Sequence, residues 1–410
     1  MCTAMEPRPN ARPALRHWIP LLAAAAPLAL GGCAAPPPAP ADTPLPAPTT
    51  LQSAVPAASG AAPAPAASAT PAPAAAEVAA QAPKQVTGVA LSRSGRVFLN
   101  FPRWVDEPTP SVAEVKPDGS LEPYPSAAWN QWDKAPGASA KKRFVCVQSV
   151  FVDATDTLWI LDPASPGFQG VVPGGAKLVR VSLASGQVEK VYPFGASVAP
   201  TQSYLNDVRI AKGHALMTDS GLGAIVVLDL ATGAARRLLA GHPSTKAEPG
   251  VVPVIGGQPW RRADGTASEV HSDGIAVDPR GEHLYYQALT GKTLYRVPIA
   301  ALLDTSLSAE ALGTRVERVA TTQPTDGIEF DAQGNLYLTA IEDSAIKVLR
   351  PDGRLTVLAQ SPDFAWPDSI AISGDTLLFT ASQIHRMPGF NGGKDLRRSP
   401  YQIYRLRLGS

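Results

Sequence analysis

The chain has 410 residues, a formal net charge of +1 and 45% apolar residues. A nucleic-acid-binding face would show as a surplus or stripe of Lys and Arg, and none is present, while the apolar share is ordinary for a chain that buries a real core. The 42 prolines and 34 glycines are unevenly placed, so the chain is expected to divide into unlike parts.

Residues 1–33 have the pattern of a targeting segment. Arg8, Arg12 and Arg16 precede the apolar run Trp18–Leu30. That run is shorter than the roughly 20 residues a membrane-spanning helix needs, and it fits a removable secretory signal. It ends in Leu30-Gly31-Gly32-Cys33, which resembles the bacterial lipobox. Small residues there let a peptidase reach the backbone, and the Cys33 thiol is the expected lipidation site; a plain signal peptide cleaved nearby is the alternative. Export follows from either, to the cell envelope as a lipoprotein or as a secreted protein, with the lipid anchor as the only membrane contact.

Residues 34–84 are almost entirely Ala, Pro, Ser and Thr, without an aromatic. Such a segment has too little apolar surface to offset its ordering entropy, and its prolines favour an extended spacer. A disordered tether is expected here. Cys2 and Cys33 fall in the leader, which leaves Cys146 as the one thiol of the folded part and rules out an intramolecular disulfide there. Its apolar neighbours Phe144, Val145 and Val147 predict a buried, inert sulfur rather than a nucleophile.

From residue 85 to 410 one pattern recurs six times: a polar pair, a short β-branched run, a turn, then a second apolar strand. In chain order the pairs are Thr87–Ser92 with Arg96–Asn100, Gln148–Asp153 with Thr157–Asp162, and Asn206–Ala211 with His214–Asp219. Asp273–Asp278 with His283–Gln287, Asp326–Asp331 with Asn335–Thr339, and Asp368–Ser373 with Thr376–Thr380 follow. Most units add two further strands around a tight turn, with Gly186, Gly233 or Gly353 supplying the positive φ. Four antiparallel strands per unit, repeated at this spacing, predict an all-β chain folded as a six-bladed β-propeller. The last unit shows three clear strands, so its fourth is expected from the chain near Gln81–Val86.

In such a ring the innermost strands border a central channel. The polar pairs at their starts, scattered in sequence, should therefore meet at one mouth. Gln148, Asn206, Asp273, Asp326 and Asp368 are the expected ligand-binding ring, with Tyr204 and Trp366 beside it. Asp162, Asp219, Glu342 and Gln383 are expected from the second set of loops at the same end. Facing carboxylates repel unless a cation, a proton or a partner intervenes. Hard oxygens suit Ca2+ or another divalent cation, with Asn206, Asp273 and Asp326 as candidate ligands; the alternative is that each Asp merely caps its own turn. Two insertions, from Tyr124 to Arg143 with Trp129 and Trp132, and from Gly241 to His271 with Trp260, Arg261 and Arg262, should overhang the mouth and wall it with aromatics. His271 is a candidate general base.

Val147–Asp162, Ser203–Asp207, Ala215–Leu230, Leu284-Tyr-Tyr and Leu294–Pro298 resemble the major royal jelly protein and Yellow family, and the likeness extends over about Val86 to Leu408. It implies a secreted six-bladed propeller. Some relatives hold small aromatic amines in the channel, and some insect members are linked to dopachrome conversion. A more distant likeness is to the gluconolactonase and senescence-marker propellers, which hold a divalent ion with Glu, Asn and Asp. Asn206 matches the Asn, and Asp273 or Asp326 the Asp, whereas Thr87 stands where that family has its Glu. Three functions remain in view: a monomeric ligand-binding propeller for a small molecule, a metal-dependent hydrolase of lactones, and an envelope interaction scaffold.

Overall fold

Each of the six repeats folds into a sheet of four antiparallel strands. The computed structural model describes residues 75–105, 107 and 110–409. The targeting segment, Cys33 and most of the expected tether lie outside them. Blade 1 is Val89–Leu91, Val97–Asn100, Val112–Val115 and Leu121–Pro123. Blades 2 to 5 begin at Ser149–Val152, Leu205–Ala211, Ser272–Val277 and Thr325–Phe330, and blade 6 at Pro367–Ser373. Helix is confined to short turns such as Ile299–Leu303 and Ala309–Gly313. Among the described residues no helix is long and apolar enough to cross a membrane.

The blades form because their β-branched and aromatic runs are buried on both faces, each face against a neighbouring blade. Ala224–Asp229, for example, is buried at every position but the last. The core is accordingly six seams rather than one centre. Blades 2 and 3 share Trp159, Leu178, Val208 and Met217. Blades 5 and 6 share Tyr337, Ile346, Phe379 and Tyr404. Each fully buried Leu, Val or Phe side chain contributes about 1.5–3 kcal/mol. The hairpin glycines Gly186, Gly233 and Gly353 adopt φ of 69°, 78° and 85°, the left-handed backbone that those turns demand.

The ring closes by pairing Glu77–Ala82 with Tyr401–Arg407, so the outer strand of blade 6 comes from the start of the described chain. It lies a few residues before the expected Gln81–Val86, inside the stretch whose composition suggested tether. Its alanines carry little apolar signal, but a strand on a sheet edge needs mainly backbone partners. Side chains lock the same junction. Thr380 Oγ1 donates to the Thr87 carbonyl at 2.6 Å, and Gln85 Nε2 donates to the Ser382 carbonyl at 2.8 Å.

Candidate functional site

Four of the six innermost strands start with a β-bulge. In blades 3 to 6 the pairing slips between Leu205 and Val208, Ser272 and Ile275, Thr325 and Ile328, and Pro367 and Ile370. The bulged residues are Asn206-Asp207, Asp273-Gly274, Asp326-Gly327 and Asp368-Ser369, which are the polar pairs of the sequence. An extra residue bends the strand and re-aims a side chain, so these positions can face the axis. Thr218, Thr339 and Thr380 pin three of the bulges by accepting the N–H of Asp207, Asp326 and Ser369. The second residue of the pair packs against the next blade. A Cβ on Gly274 would stand 2.2 Å from the Asp326 carbonyl oxygen, and one on Gly327 2.4 Å from that of Asp368. Only glycine fits there.

The ring residues meet as expected and form a chain of hydrogen bonds around one side of the mouth. Trp104 Nε1 donates to Tyr204 Oη at 2.6 Å, and Tyr204 Oη donates to Gln148 Oε1 at 2.9 Å. Gln148 Nε2 reaches Asn206 Oδ1 at 3.3 Å, and Asn206 Nδ2 donates to Asp273 Oδ2 at 2.7 Å. On the far side Trp366 Nε1 donates to Asp326 Oδ2 at 2.7 Å. Trp366 is fully buried and has φ of 62°, a left-handed turn that delivers its indole to the carboxylate.

Asp273, Asp326 and Asp368 are all buried, and among the described residues no cationic side chain pairs with them. Burial, reinforced by the neighbouring Asp326 and Asp368 charges, pushes Asp273 well above the usual carboxylate range. Burial also raises Asp326, to about 6, against the opposing hydrogen bonds from Trp366 and Asp273. Asp368 is driven well up by burial and then by the Asp326 charge. Its Oδ2 is buried with no hydrogen-bond partner among the described residues, as are Trp260 Nε1 and His385 Nδ1, which flank Trp366. The mouth is therefore an arc of carboxylates short of positive charge.

Aromatics wall this arc at both ends. Trp366 packs edge-on against Trp260 at 4.9 Å, and Trp260 packs against Phe390 at 4.8 Å. At the other end Phe168 stacks on Trp104 at 5.1 Å and leans on Tyr204 at 5.3 Å, with 42% of Phe168 left exposed. One residue that sequence reasoning missed makes the floor. Arg209 reaches across the lumen from blade 3 to blade 5, pairing Asp207 Oδ2 and Glu329 Oε2 at 2.9 Å each and donating to the Ile328 carbonyl. Its guanidinium lies over the Phe151 ring of blade 2. Burial opposes its charge, but the two carboxylates more than restore it. Charges at alternate positions of otherwise apolar inner strands were the available signal.

Several expected residues do other work. Asp162 accepts the N–H groups of Val145, Cys146 and Ala164 and pairs with buried Lys177 at 2.8 Å. Asp219 accepts from Tyr204 N–H, Ser203 Oγ and Arg237 Nη1. Both tie down the loop that leads into an inner strand. Glu342 accepts the Val254 N–H, and Gln383 holds the Arg398 backbone. His271 is engaged too: its Nδ1 accepts the Ala247 N–H at 3.0 Å, so in the neutral ring the proton sits on Nε2 and no lone pair is free for a base. Trp129 packs on Phe144 at 5.1 Å in the blade 1–2 seam, whereas Trp132 donates its Nε1 to the Ala135 carbonyl, carries the Arg103 guanidinium over its ring and packs on the blade 2–3 seam. Cys146 is fully buried, and burial lifts its thiol to about 12.

The donors fit a divalent cation poorly. Among the described residues the one group of three or more acidic or histidine ligands gathered within 4.8 Å is Asp278, Glu282 and His283. That group lies in a hairpin turn of blade 4, where Asp278 already accepts the N–H groups of Glu282 and His283. At the mouth Asn206 turns Nδ2, not Oδ1, toward Asp273, and Thr87 gives the first blade no carboxylate.

A solved gluconolactonase from Xanthomonas campestris superposes with a TM-score of 0.50 at 14% identity, covering 82% of this chain and 90% of that one. A putative gluconolactonase gives 0.47 at 16% identity over 83% and 96% of the two chains. Virginiamycin B lyase from Staphylococcus aureus gives 0.45 at 14% identity over 82% and 99%. At such identities the likeness is one of fold. No curated protein sequence matches the chain. The model of the major royal jelly protein family matches residues 145–408, from the loop entering blade 2 to the closing strand of blade 6, and the chain belongs to that family.

Proposed function

We propose that the channel mouth binds a small organic cation, an amine carried on an apolar or aromatic body, and that the protein does so as an exported, Cys33-anchored ligand-binding propeller. The observation that carries this reading is the buried arc of Asp273, Asp326 and Asp368, with the Asp368 Oδ2 unpartnered. An ammonium placed there would restore ionised carboxylates, and it needs no cage of converging ligands. Phe168, stacked on the half-buried Trp104, offers an apolar face for the rest of the molecule, as small-molecule sites usually do. Arg209 gives the well a floor, so a ligand would enter and leave by one end.

The test is thermal shift on the purified chain with tyramine and tryptamine, against the neutral analogue phenethyl alcohol, with lactones and Ca2+ as further arms. A ligand at a hundred times its Kd stabilises by about 2.7 kcal/mol. The amines should raise Tm, the neutral analogue should do far less, and Asp326→Asn together with Asp368→Asn should abolish the difference. No shift by any amine at millimolar concentration would sink the proposal. Chelator-sensitive lactone turnover would instead favour a metal-dependent hydrolase.

A further inference from the structure

At the opposite end of the ring, a second concave site lies in the seam where blade 6 meets blade 1. We infer that this cleft binds a phosphate group, independently of the mouth. It measures about 290 Å3 and is lined by Arg93, Arg405 and Arg407 together with Ser373, Thr376 and Leu378. Arg93 comes from the first turn of blade 1, and Arg405 and Arg407 from the closing strand Tyr401–Arg407. The three cations are brought together only by ring closure.

Of the three arginines, one is already neutralised. Arg407 is paired with Asp375 Oδ1 at 3.0 Å. Asp156 is occupied by the Arg93 backbone N–H at 2.9 Å, and Glu77 stands across the ladder from Arg405. Among the described residues the guanidiniums of Arg93 and Arg405 make no ion pair. A guanidinium fork bonds two oxygens of a phosphate in one plane, with charge-assisted hydrogen bonds of about twice the usual strength. A carboxylate would offer two oxygens and one charge to a site with two free forks, whereas a phosphate ester can serve both. Leu378 gives the ester's carbon skeleton an apolar wall. The chain also enters blade 6 on this side, because Glu77 pairs with Arg405. The phosphate could belong to a lipid headgroup or to a soluble ester.

The experiment uses the full chain with two kinds of probe. Glycerol 3-phosphate and inorganic phosphate are titrated calorimetrically, and vesicles with or without phosphatidylglycerol are co-sedimented. Arg93→Gln combined with Arg405→Gln should weaken binding by about tenfold or more for each guanidinium lost. Arg280→Gln, a surface change in a blade 4 turn at the same end, should leave it unchanged. Melting temperatures of the two variants, expected to agree, report on folding. Binding of the soluble phosphates with this arginine dependence supports a free ester, and binding confined to phosphatidylglycerol vesicles with the same dependence supports a headgroup. If neither probe binds, or binding survives the double substitution, the inference is overturned.

Discussion

Two sets of aspartates lie at the same end of this propeller and have opposite fates. Asp162 and Asp219, at the ends of second strands, each accept several backbone N–H groups and pair with a cation, the buried Lys177 or the partly buried Arg237. Asp273, Asp326 and Asp368, at the bulged starts of inner strands, face one another instead, with neutral donors such as Asn206 and Trp366 and, among the described residues, no cationic partner. The first set holds loops in place. The second keeps its valences for something outside the chain, and the contrast separates scaffold from site without any appeal to residue type.

The comparison breaks most visibly at Lys177. Lys177→Met should destabilise the fold by about 3–5 kcal/mol, because it strands the fully buried Asp162 carboxylate without its partner. Urea denaturation measures this, and a cost under about 1 kcal/mol would mean that Asp162 is not structural. The mouth acids should respond in the other direction. Asp273→Asn or Asp368→Asn is expected to stabilise the ligand-free protein at neutral pH by about 1–2 kcal/mol, since it removes a like charge from a buried cluster. The sign follows from the raised pKa values. The folded Asp326, at about 6 against 3.8, binds its proton more tightly than the unfolded chain does. Its contribution is therefore favourable at low pH and is lost as pH rises from about 4 to about 6. Stability measured at pH 4.5, 6 and 7.5 should show the variants gaining on the parent as pH increases, and a constant difference would remove the like-charge account. The smallest effect is expected at Tyr204. Tyr204→Phe deletes the hydroxyl between Trp104 Nε1 and Gln148 Oε1 and should cost about 1 kcal/mol with no change in the pH profile.

Much of this was legible before any coordinates. Asp273-Gly274, Asp326-Gly327 and Asp368-Ser369 stand at the same point of successive repeats, and a closed ring must bring equivalent points to one axis. The packing role of the glycines was not legible: only the closed ring sets the Asp326 and Asp368 carbonyls where a Cβ on Gly274 or Gly327 would stand. What was not legible depended on partners chosen in three dimensions. Nothing adjacent in sequence tells that Asp162 will find Lys177, that the His271 ring will be taken by the Ala247 N–H, or that Arg209 will span the lumen to Glu329. The outer strand Glu77–Ala82 was hidden for a different reason. An edge strand is selected by the backbone hydrogen bonds of Tyr401–Arg407, and alanine-rich composition resembles tether until that partner exists.

By itself the sequence determined the repeat, the number of blades, the turn chemistry and the set of polar residues that a ring would gather, because period-2 patterning and turn glycines are local properties. Tertiary structure alone decided which of those residues are satisfied and which are left facing one another. A carboxylate's role is fixed by the donors and charges within a few ångströms, and ring closure, with its bulges and seams, is what sets those distances.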